Sequence, residues 1–372
     1  MIKKMLYLMH IPWNWAKQRP QFLAEELNRF FDLTIMCPIS YRSHNLSKDV
    51  TYNKNLHVKN FITIPFKGRF FLLQKLNDFF IKLQLKIINY RNKYDVVWIT
   101  HPVLFNCIKG IKFEKIIYDC MDNALEFPKV EKNRDLFNYL LKSENILYEK
   151  ANLIICSSSF LKKQLISRYG IHNNKIRVVN NGINLSDLYL KQNLPVNLKN
   201  YFNGSNKKIV YIGTISTWFD FDLLLESLKA IQNIDYLLFG PTEVNIPHHK
   251  NIIYCGPVSH AYVASIMSMA DVLIIPFKIT NLIKSVDPVK AYEYIFSGKP
   301  SLVREYEETK KFKKFVYLYN SNSDYIFKLK KILNGDLSIN ISNEERNNFV
   351  KNSDWSYRSN EIIKFMKEFH II

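Results

Sequence analysis

Residues 271–304 contain a short apolar run, Asp271-Val-Leu-Ile-Ile-Pro276, an amphipathic segment, Asp287-Pro-Val-Lys-Ala-Tyr-Glu-Tyr-Ile-Phe296, and a second apolar run, Ser301-Leu-Val-Arg304. The apolar runs are short and bounded by Gly, Pro and polar residues, which is typical of buried strands. The segment between them has apolar residues at helical spacing, and Gly298-Lys299-Pro300 ends it. The pattern predicts a strand, a helix and a parallel neighbouring strand.

The same alternation fills the chain in two series, separated by a polar, Asn-rich segment at 187–206. We therefore predict an α/β protein with two doubly wound, Rossmann-like domains, 1–186 and 207–353, joined by that segment as a linker and facing each other across a cleft. A final helix is predicted over 354–372. Ligands of such sheets bind beyond the carboxyl ends of the strands, so the residues after each strand are the candidate functional residues.

Composition excludes several classes of protein. The 372 residues are 47% apolar, which rules out a disordered chain, and their longest uncharged apolar runs are far shorter than a bilayer span. The five cysteines form no CxxC pair, which argues against a zinc site and a disulfide framework and favours a reducing, cytoplasmic compartment.

Positive charge is concentrated in the first half of the chain. Residues 1–200 carry 31 Lys and Arg against 15 Asp and Glu, whereas residues 201–372 carry 21 against 18. A helix predicted over 67–93 has an apolar stripe, and a second stripe holds Lys75, Lys82, Lys86 and Lys93. Such a helix suits an anionic membrane surface. The alternative is a core-facing helix with a solvated lysine edge.

The segment from Ser285 to Pro300 carries the clearest chemistry. Asp287 is a good N-cap, and the N-terminus of the helix would offer free amides to an anion. Lys290 and Glu293 are three residues apart and share a helix face. The arrangement suits a nucleoside diphosphate, with the pyrophosphate at the amides and Lys290 and the ribose at Glu293. The alternative is an ordinary capped amphipathic helix.

This segment resembles the donor-binding motif of retaining GT-B glycosyltransferases of family 4 and its relatives, Pro-x-Lys-x-x-Glu-Tyr-x-x-x-Gly-Lys-Pro. Four further motifs agree in the same order and extend the resemblance over nearly the whole chain. Trp13-Asn-Trp-Ala-Lys-Gln-Arg-Pro-Gln21 is similar to the opening of teichuronic-acid-type and capsule-type transferases, and the others are Tyr118-Asp-Cys-Met-Asp122, Asn181-Gly-Ile-Asn184 and Ala270-Asp-Val-Leu-Ile-Ile-Pro276.

The resemblance implies a GT-B fold whose C-terminal helix crosses back to the first domain. It also implies sugar transfer from a nucleotide-diphosphate sugar, most readily a UDP-sugar, with retention, no metal and no other cofactor. Glu293 would hold the donor ribose, and the amides of Ser285 and Val286 the distal phosphate. We also count Gly213, which follows the first predicted strand of the second domain, among the candidate donor-binding residues.

The chain departs from the family at two points. Ser285 stands where the family has a second glutamate, and no cation follows Gly213 where the family often has Arg and Lys. We expect Lys290, then Arg19, then Lys284 to neutralise the diphosphate.

On the acceptor side, Asp119 and Asp122 follow a predicted strand, and either would act as a base toward the acceptor hydroxyl. Arg19, at the start of the first helix, would meet phosphate or an anionic acceptor. The expected acceptor is a cell-surface glycan, lipid-linked, reached by an enzyme peripheral on the inner face of the cell membrane.

Three other functions are considered. A GT-B-shaped nucleotide-sugar epimerase would need no acceptor and would form an epimer from the donor alone. A nucleic-acid-binding protein is suggested only by the net charge of +19, and no common nucleic-acid motif is evident, so no nucleic-acid partner is expected. A Rossmann oxidoreductase is disfavoured because no GxGxxG follows the first strand of either domain.

Overall fold

The computed structural model describes residues 2–14, 17–39, 56–64, 71–170 and 174–372. The chain divides into two compact units, Met1–Asn180 with Trp355–Ile372, and Asn181–Asp354. Each unit is built on one parallel sheet that has a hydrophobic core on both faces. The predicted α/β class with two doubly wound sheets is therefore confirmed.

The first unit has seven described strands in the order β3-β2-β1-β4-β5-β6-β7. They are β1 Lys4–Leu8, β2 Asp32–Pro38, β3 His57–Phe61, β4 Val96–Ile99, β5 Lys115–Cys120, β6 Leu153–Cys156 and β7 Ile176–Val178. The helices between them are α1 Arg19–Leu27, α2 Phe71–Asn92, α3 Val103–Ile108, α4 Pro128–Glu131, α5 Arg134–Lys150 and α6 Ser159–Tyr169. Strands β4 and β6 are buried throughout, as continuous apolar runs in a parallel sheet should be.

The second unit repeats the plan with six strands in the order β10-β9-β8-β11-β12-β13. They are β8 Lys207–Ile212, β9 Ile234–Phe239, β10 Ile252–Gly256, β11 Val272–Ile275, β12 Ser301–Arg304 and β13 Tyr317–Tyr319. The helices are α7 Leu185–Tyr189, α8 Val196–Lys199, α9 Phe221–Ala230, α10 Val263–Met269, α11 Asn281–Ser285, α12 Val289–Ser297, α13 Asn322–Leu333 and α14 Asn343–Lys351.

Residues 187–206 lie within the second unit. The segment contains most of α7 and all of α8, and its side chains Leu188, Leu194 and Leu198 are buried in the core of that unit. Because three of its leucines pack in this core, the segment that we predicted as a linker is packed as a part of the second unit.

The last helix, α15 Trp355–Glu368, returns to the first unit, as the resemblance implies. Its Trp355 ring stacks on Phe22 of α1 with ring centroids 5.4 Å apart, and Ile362 and Met366 are fully buried in the same core. Helix α15 therefore completes the layer of helices on one face of the first sheet.

Helix α2 corresponds to the helix predicted over 67–93 but ends one residue earlier, at Asn92, and residues 67–70 lie outside the described residues. Along the described ranges, the search for a helix with the length and hydropathy of a membrane span found none.

Candidate functional site

Helix α12 positions the glutamate that the sequence singled out. It begins at Val289 after Pro288, which offers no side-chain cap, and ends at Ser297, where Gly298 caps it in the left-handed conformation with φ 68°. The backbone N–H groups of Val289 and Lys290 precede the first intrahelical hydrogen bond and have no acceptor within the helix. Buried Tyr292, Tyr294 and Ile295 fix α12 against the sheet. Glu293 is also buried, one turn after the open N-terminus.

Two cationic or protonatable groups hold the Glu293 carboxylate. Lys290 Nζ lies 2.6 Å from Oε2, as the spacing of three residues predicts, and His260 Nε2 lies 3.4 Å from Oε1. Burial acts to raise the pKa of Glu293, but Lys290 and the hydrogen bond from His260 outweigh it and lower the pKa to about 2. Glu293 is therefore an ionised hydrogen-bond acceptor held in a fixed position.

The sequence analysis missed His260. This residue begins a 3-10 helix, His260–Tyr262, just after β10, and Asp187 Oδ2 lies 3.8 Å from its Nδ1. Nothing in the local spacing links His260 to Glu293, which is 33 residues away. The one available signal is its position close behind Gly256-Pro257 at the carboxyl end of a strand.

Asp287 does not cap α12, contrary to the prediction. Its carboxylate accepts hydrogen bonds from the Asn181 backbone N–H at 2.6 Å, from the Tyr292 hydroxyl at 3.1 Å and from Lys311 Nζ at 2.6 Å. The Asn181 side-chain amide donates in turn to the Asp287 carbonyl at 2.8 Å. Asp287 is fully occupied by its own chain, so it holds the Asn181 loop and the segment carrying Lys311 against α12.

Of the two predicted phosphate contacts, the Val286 amide is already used within the chain, and Ser285 is buried. Ser285 ends α11, is buried, and donates its hydroxyl to the Leu282 carbonyl at 2.6 Å. The Val286 N–H donates to the Ile283 carbonyl at 3.0 Å. We predicted that these residues immediately precede α12, but they form the C-terminal end of a separate short helix, α11. The open amides lie three to four residues later, at Val289 and Lys290.

Gly213 lies directly after β8, and its N–H donates to the Phe239 carbonyl at 2.9 Å. Gly240, which follows β9, has φ +135°, and a Cβ there would lie 2.0 Å from the Gly213 carbonyl oxygen. Only glycine allows these two backbones to approach so closely. The donor-binding role of Gly213 stays a prediction.

Arg19 and Asp119 bind each other and are almost completely buried. The Arg19 guanidinium places Nε 3.0 Å and Nη2 2.9 Å from Asp119 Oδ1, and Nη1 donates to the Val179 carbonyl at 2.9 Å. Strand β5 runs on through Asp119 to Cys120, so Asp119 lies inside the strand and does not follow it as predicted. Because the two side chains bind each other inside the protein, this arrangement does not present either of them to a ligand as predicted.

Asp122 is different, because it lies after β5 and is half-buried. Burial raises the pKa of Asp122 to about 6, with Arg19 acting to lower it and Asp119 to raise it. A carboxyl group with a pKa near neutrality can take up a proton, so Asp122 keeps its candidacy as a base.

Of the three cations predicted to meet a diphosphate, Arg19 is committed to Asp119 and Lys290 pairs with Glu293. Lys284 is exposed on α11, close in sequence to α12. In the portion of the chain that is described, no group of three or more His, Cys, Asp or Glu side chains is arranged to hold a metal ion. The expectation of a metal-free reaction stays a prediction.

Residues 22–187 match the family model Glycosyltransferase Family 4. TuaH of Bacillus subtilis strain 168, whose name assigns it to teichuronic acid biosynthesis as a glycosyltransferase, is 25% identical over 287 residues, 72% of this chain and 71% of TuaH.

Solved structures share the fold at low sequence identity. Sucrose-phosphate synthase of Thermosynechococcus elongatus has a TM-score of 0.73 at 12% identity, covering 99% of this chain and 100% of its own. HepE of Anabaena, solved with UDP and glucose, has a TM-score of 0.70 at 13% identity, covering 98% of this chain and 99% of its own. The resemblance to family 4-like GT-B transferases is confirmed, and the chain is a glycosyltransferase of the GT-B fold.

Proposed function

We propose that this glycosyltransferase moves a sugar from a nucleotide-diphosphate sugar, most readily a UDP-sugar, to a hydroxyl of a lipid-linked cell-surface glycan. Transfer would proceed with retention at the anomeric carbon and without metal, at the inner face of the cell membrane. The similarity to TuaH supports a surface-glycan acceptor, and the fold shared with HepE, solved with UDP and glucose, supports UDP.

The observation that carries the proposal is the Glu293 carboxylate. It is buried and ionised, and each of its oxygens accepts one hydrogen bond, from Lys290 or from His260, which fixes its position and leaves each oxygen a second lone pair for a ribose hydroxyl. A ribose offers two neighbouring hydroxyl donors, which match the two oxygens of a carboxylate. Because the pKa of Glu293 is about 2, the carboxylate remains an acceptor throughout the physiological pH range.

The diphosphate would lie one turn earlier, at the N–H groups of Val289 and Lys290. Departure of the nucleotide builds negative charge on the diphosphate, and preorganised N–H donors at a helix N-terminus stabilise such charge. Lys284 is the exposed cation nearest in sequence to this turn and is our candidate for a further phosphate contact.

On the acceptor side, we assign the proton-accepting role to Asp122 in preference to Asp119. Asp122 lies beyond the end of β5 and has a pKa raised to about 6, whereas Asp119 is inside the strand and bound to Arg19. A base with a pKa close to the working pH takes a proton from an attacking hydroxyl most effectively.

The test is a thermal-shift titration of the wild type with UDP, GDP and ADP, repeated for Glu293→Gln. Gln keeps the shape of Glu293 and removes its charge. UDP should raise the melting temperature of the wild type and of the control Glu344→Gln, an exposed carboxylate on α14, but should hardly change that of Glu293→Gln. An equal shift of the melting temperature in all three proteins would show that UDP does not bind at Glu293 of α12.

Product analysis separates the proposal from the epimerase alternative. Incubation with UDP-sugar alone should leave the sugar configuration unchanged, and addition of glycan acceptors should give a glycosylated product. Conversion of the donor to its epimer in the absence of any acceptor would instead establish an epimerase.

A further inference from the structure

Helix α2 carries an apolar face that is exposed among the residues the structure describes. Seven of its large apolar side chains are between 41% and 84% exposed. They are Leu72, Leu76, Phe79, Phe80, Leu83, Ile87 and Tyr90. At 100° per residue these side chains fall within an arc of about 100°, on a helix about 33 Å long. Single exposed apolar residues are ordinary, but a continuous face of this size marks a contact surface.

The opposite face of α2 is firmly attached to the first unit. Ile81 and Leu85 are buried in its core, and the Asn77 side chain accepts a hydrogen bond from the Ile64 N–H at 2.9 Å. Asp78 is buried and accepts hydrogen bonds from Gln74 and Tyr139. Rotation of the helix to bury the exposed face would break these contacts, so the apolar side chains are held outward.

Basic residues flank the apolar face. Lys75, Lys82 and Lys86 lie along one side of it within an arc of about 40°, and Arg91 lies on the other side. Lys93, predicted in the same stripe, lies just beyond the end of the helix. Beside the C-terminal half of α2, a surface depression of about 550 Å³ is lined by Lys86, Arg91 and Lys112 together with Ile87 and Tyr90. The one acidic residue of α2, Asp78, is buried, so the exposed charged side chains of this helix are basic.

We propose that this face of α2 binds the surface of an anionic lipid bilayer. The helix would lie parallel to the membrane, with the apolar side chains among the upper acyl chains and the lysines at the lipid phosphates. The depression between Lys86, Arg91 and Lys112 would receive a phosphate-bearing headgroup. A nucleic acid would match the charge, but it offers no acyl chains to bury a strip of seven apolar side chains. The proposal does not depend on the donor chemistry of Glu293.

Vesicle co-sedimentation of the full chain, without substrates, tests the proposal. The wild type should sediment with vesicles of phosphatidylcholine and phosphatidylglycerol at low salt, and much less with phosphatidylcholine alone. Phe79→Ser with Leu83→Ser should reduce binding at least tenfold, because both side chains are exposed and carry the apolar contact. The control Val196→Ser with Phe327→Ser, exposed apolar residues of the second unit, should bind like the wild type.

A second set of variants tests the charges. Lys86→Gln, Arg91→Gln and Lys112→Gln together should weaken binding to anionic vesicles at least fivefold. The control removes the same charge from exposed lysines of the second unit, Lys229, Lys250 and Lys313. Equal losses in both triple variants would overturn the proposed site, since binding would then follow net charge alone.

Other occupants of the α2 face would give different results. A dimer in solution that Phe79→Ser with Leu83→Ser dissociates, together with no vesicle binding, would show that a second copy of the chain covers the face. RNA that binds the wild type and displaces it from vesicles, while the serine variant binds RNA normally, would show a nucleic-acid surface. Either result would overturn the proposal.

Discussion

At the scale of single residues, Glu293 shows how a buried charge is maintained. Burial alone would favour the protonated form, but Lys290 at 2.6 Å and His260 at 3.4 Å keep the carboxylate ionised. His260 also lies 3.8 Å from Asp187. Lys290, His260 and Asp187 lie in three different segments of the second unit. The ionised state of Glu293 therefore depends on the folded structure of that unit.

Replacing Lys290 with Met should lower the unfolding free energy at neutral pH by about 1–3 kcal/mol, because Glu293 stays buried and loses its closest partner. In the wild type the pKa of Glu293 is about 2 against an ordinary 4.5, so its contribution is present above pH 4.5 and is lost as the pH falls from 4.5 to 2. Urea unfolding should therefore show the difference between variant and wild type shrinking toward about pH 3.

The control for this measurement is Lys284→Met, which removes an exposed lysine of α11. Its effect on stability should be within about 0.5 kcal/mol at every pH. A loss in Lys290→Met that is the same at neutral and acidic pH would contradict the assigned ion pair, because such a loss would come from packing.

At the scale of elements, Asp287 shows that one carboxylate can tie several segments together. It joins the Asn181 loop, Tyr292 on α12 and Lys311 in the 3-10 helix Glu307–Phe312. Asp287 lies just before the N-terminus of α12 and thus fixes the start of the helix that carries Glu293. The open amides of α12 remain open because the carboxylate that precedes them is used elsewhere.

A double-mutant cycle measures this clamp. Asp287→Asn alone should cost about 2–4 kcal/mol of unfolding free energy, because Lys311 loses a buried partner. Combined with Lys311→Met, it should show a coupling energy of about 1–3 kcal/mol in chemical denaturation. The matched exposed pair, Glu307→Gln with Lys310→Met, should couple by less than about 0.5 kcal/mol. Additive losses at Asp287 and Lys311 would show that the ion pair is not what holds the segments.

At the scale of the whole molecule, the chain leaves the first unit at Asn180, builds the second, and returns with α15. The stacked rings of Trp355 and Phe22 belong to the core of the first unit although they are more than 300 residues apart in sequence. The first unit is therefore complete only when helix α15 has been added.

Trp355→Ala should destabilise the first unit by about 3–5 kcal/mol, since it removes a large buried ring. Hydrogen exchange should then speed up in β1 and α1, while β8 and β11 keep their protection. Tyr357→Ala, which removes an exposed ring from the same helix, should leave exchange nearly unchanged. Equal loss of protection in both units would contradict the assignment of α15 to the first.

Much of the architecture could be predicted because it rests on local patterns. Short apolar runs between polar turns indicate parallel strands, and the spacing of Lys290 and Glu293 places them on one face of a helix. The resemblance to family 4-like transferases was visible in motifs such as Trp13–Gln21 and Pro288–Pro300. Local patterns also predicted the apolar and basic stripes of α2, but gave no means of deciding which stripe faces the core.

Sequence alone determined the α/β class, the division into two sheets and the glycosyltransferase resemblance, because strand and helix periodicity and short motifs are written along the chain. The folded structure alone decided which charges from distant segments meet. It paired Arg19 with Asp119, brought His260 to Glu293, turned Asp287 toward Lys311 and left the apolar side chains of α2 exposed. These outcomes depend on contacts between distant segments, and no local spacing encodes which distant side chain a buried charge will find.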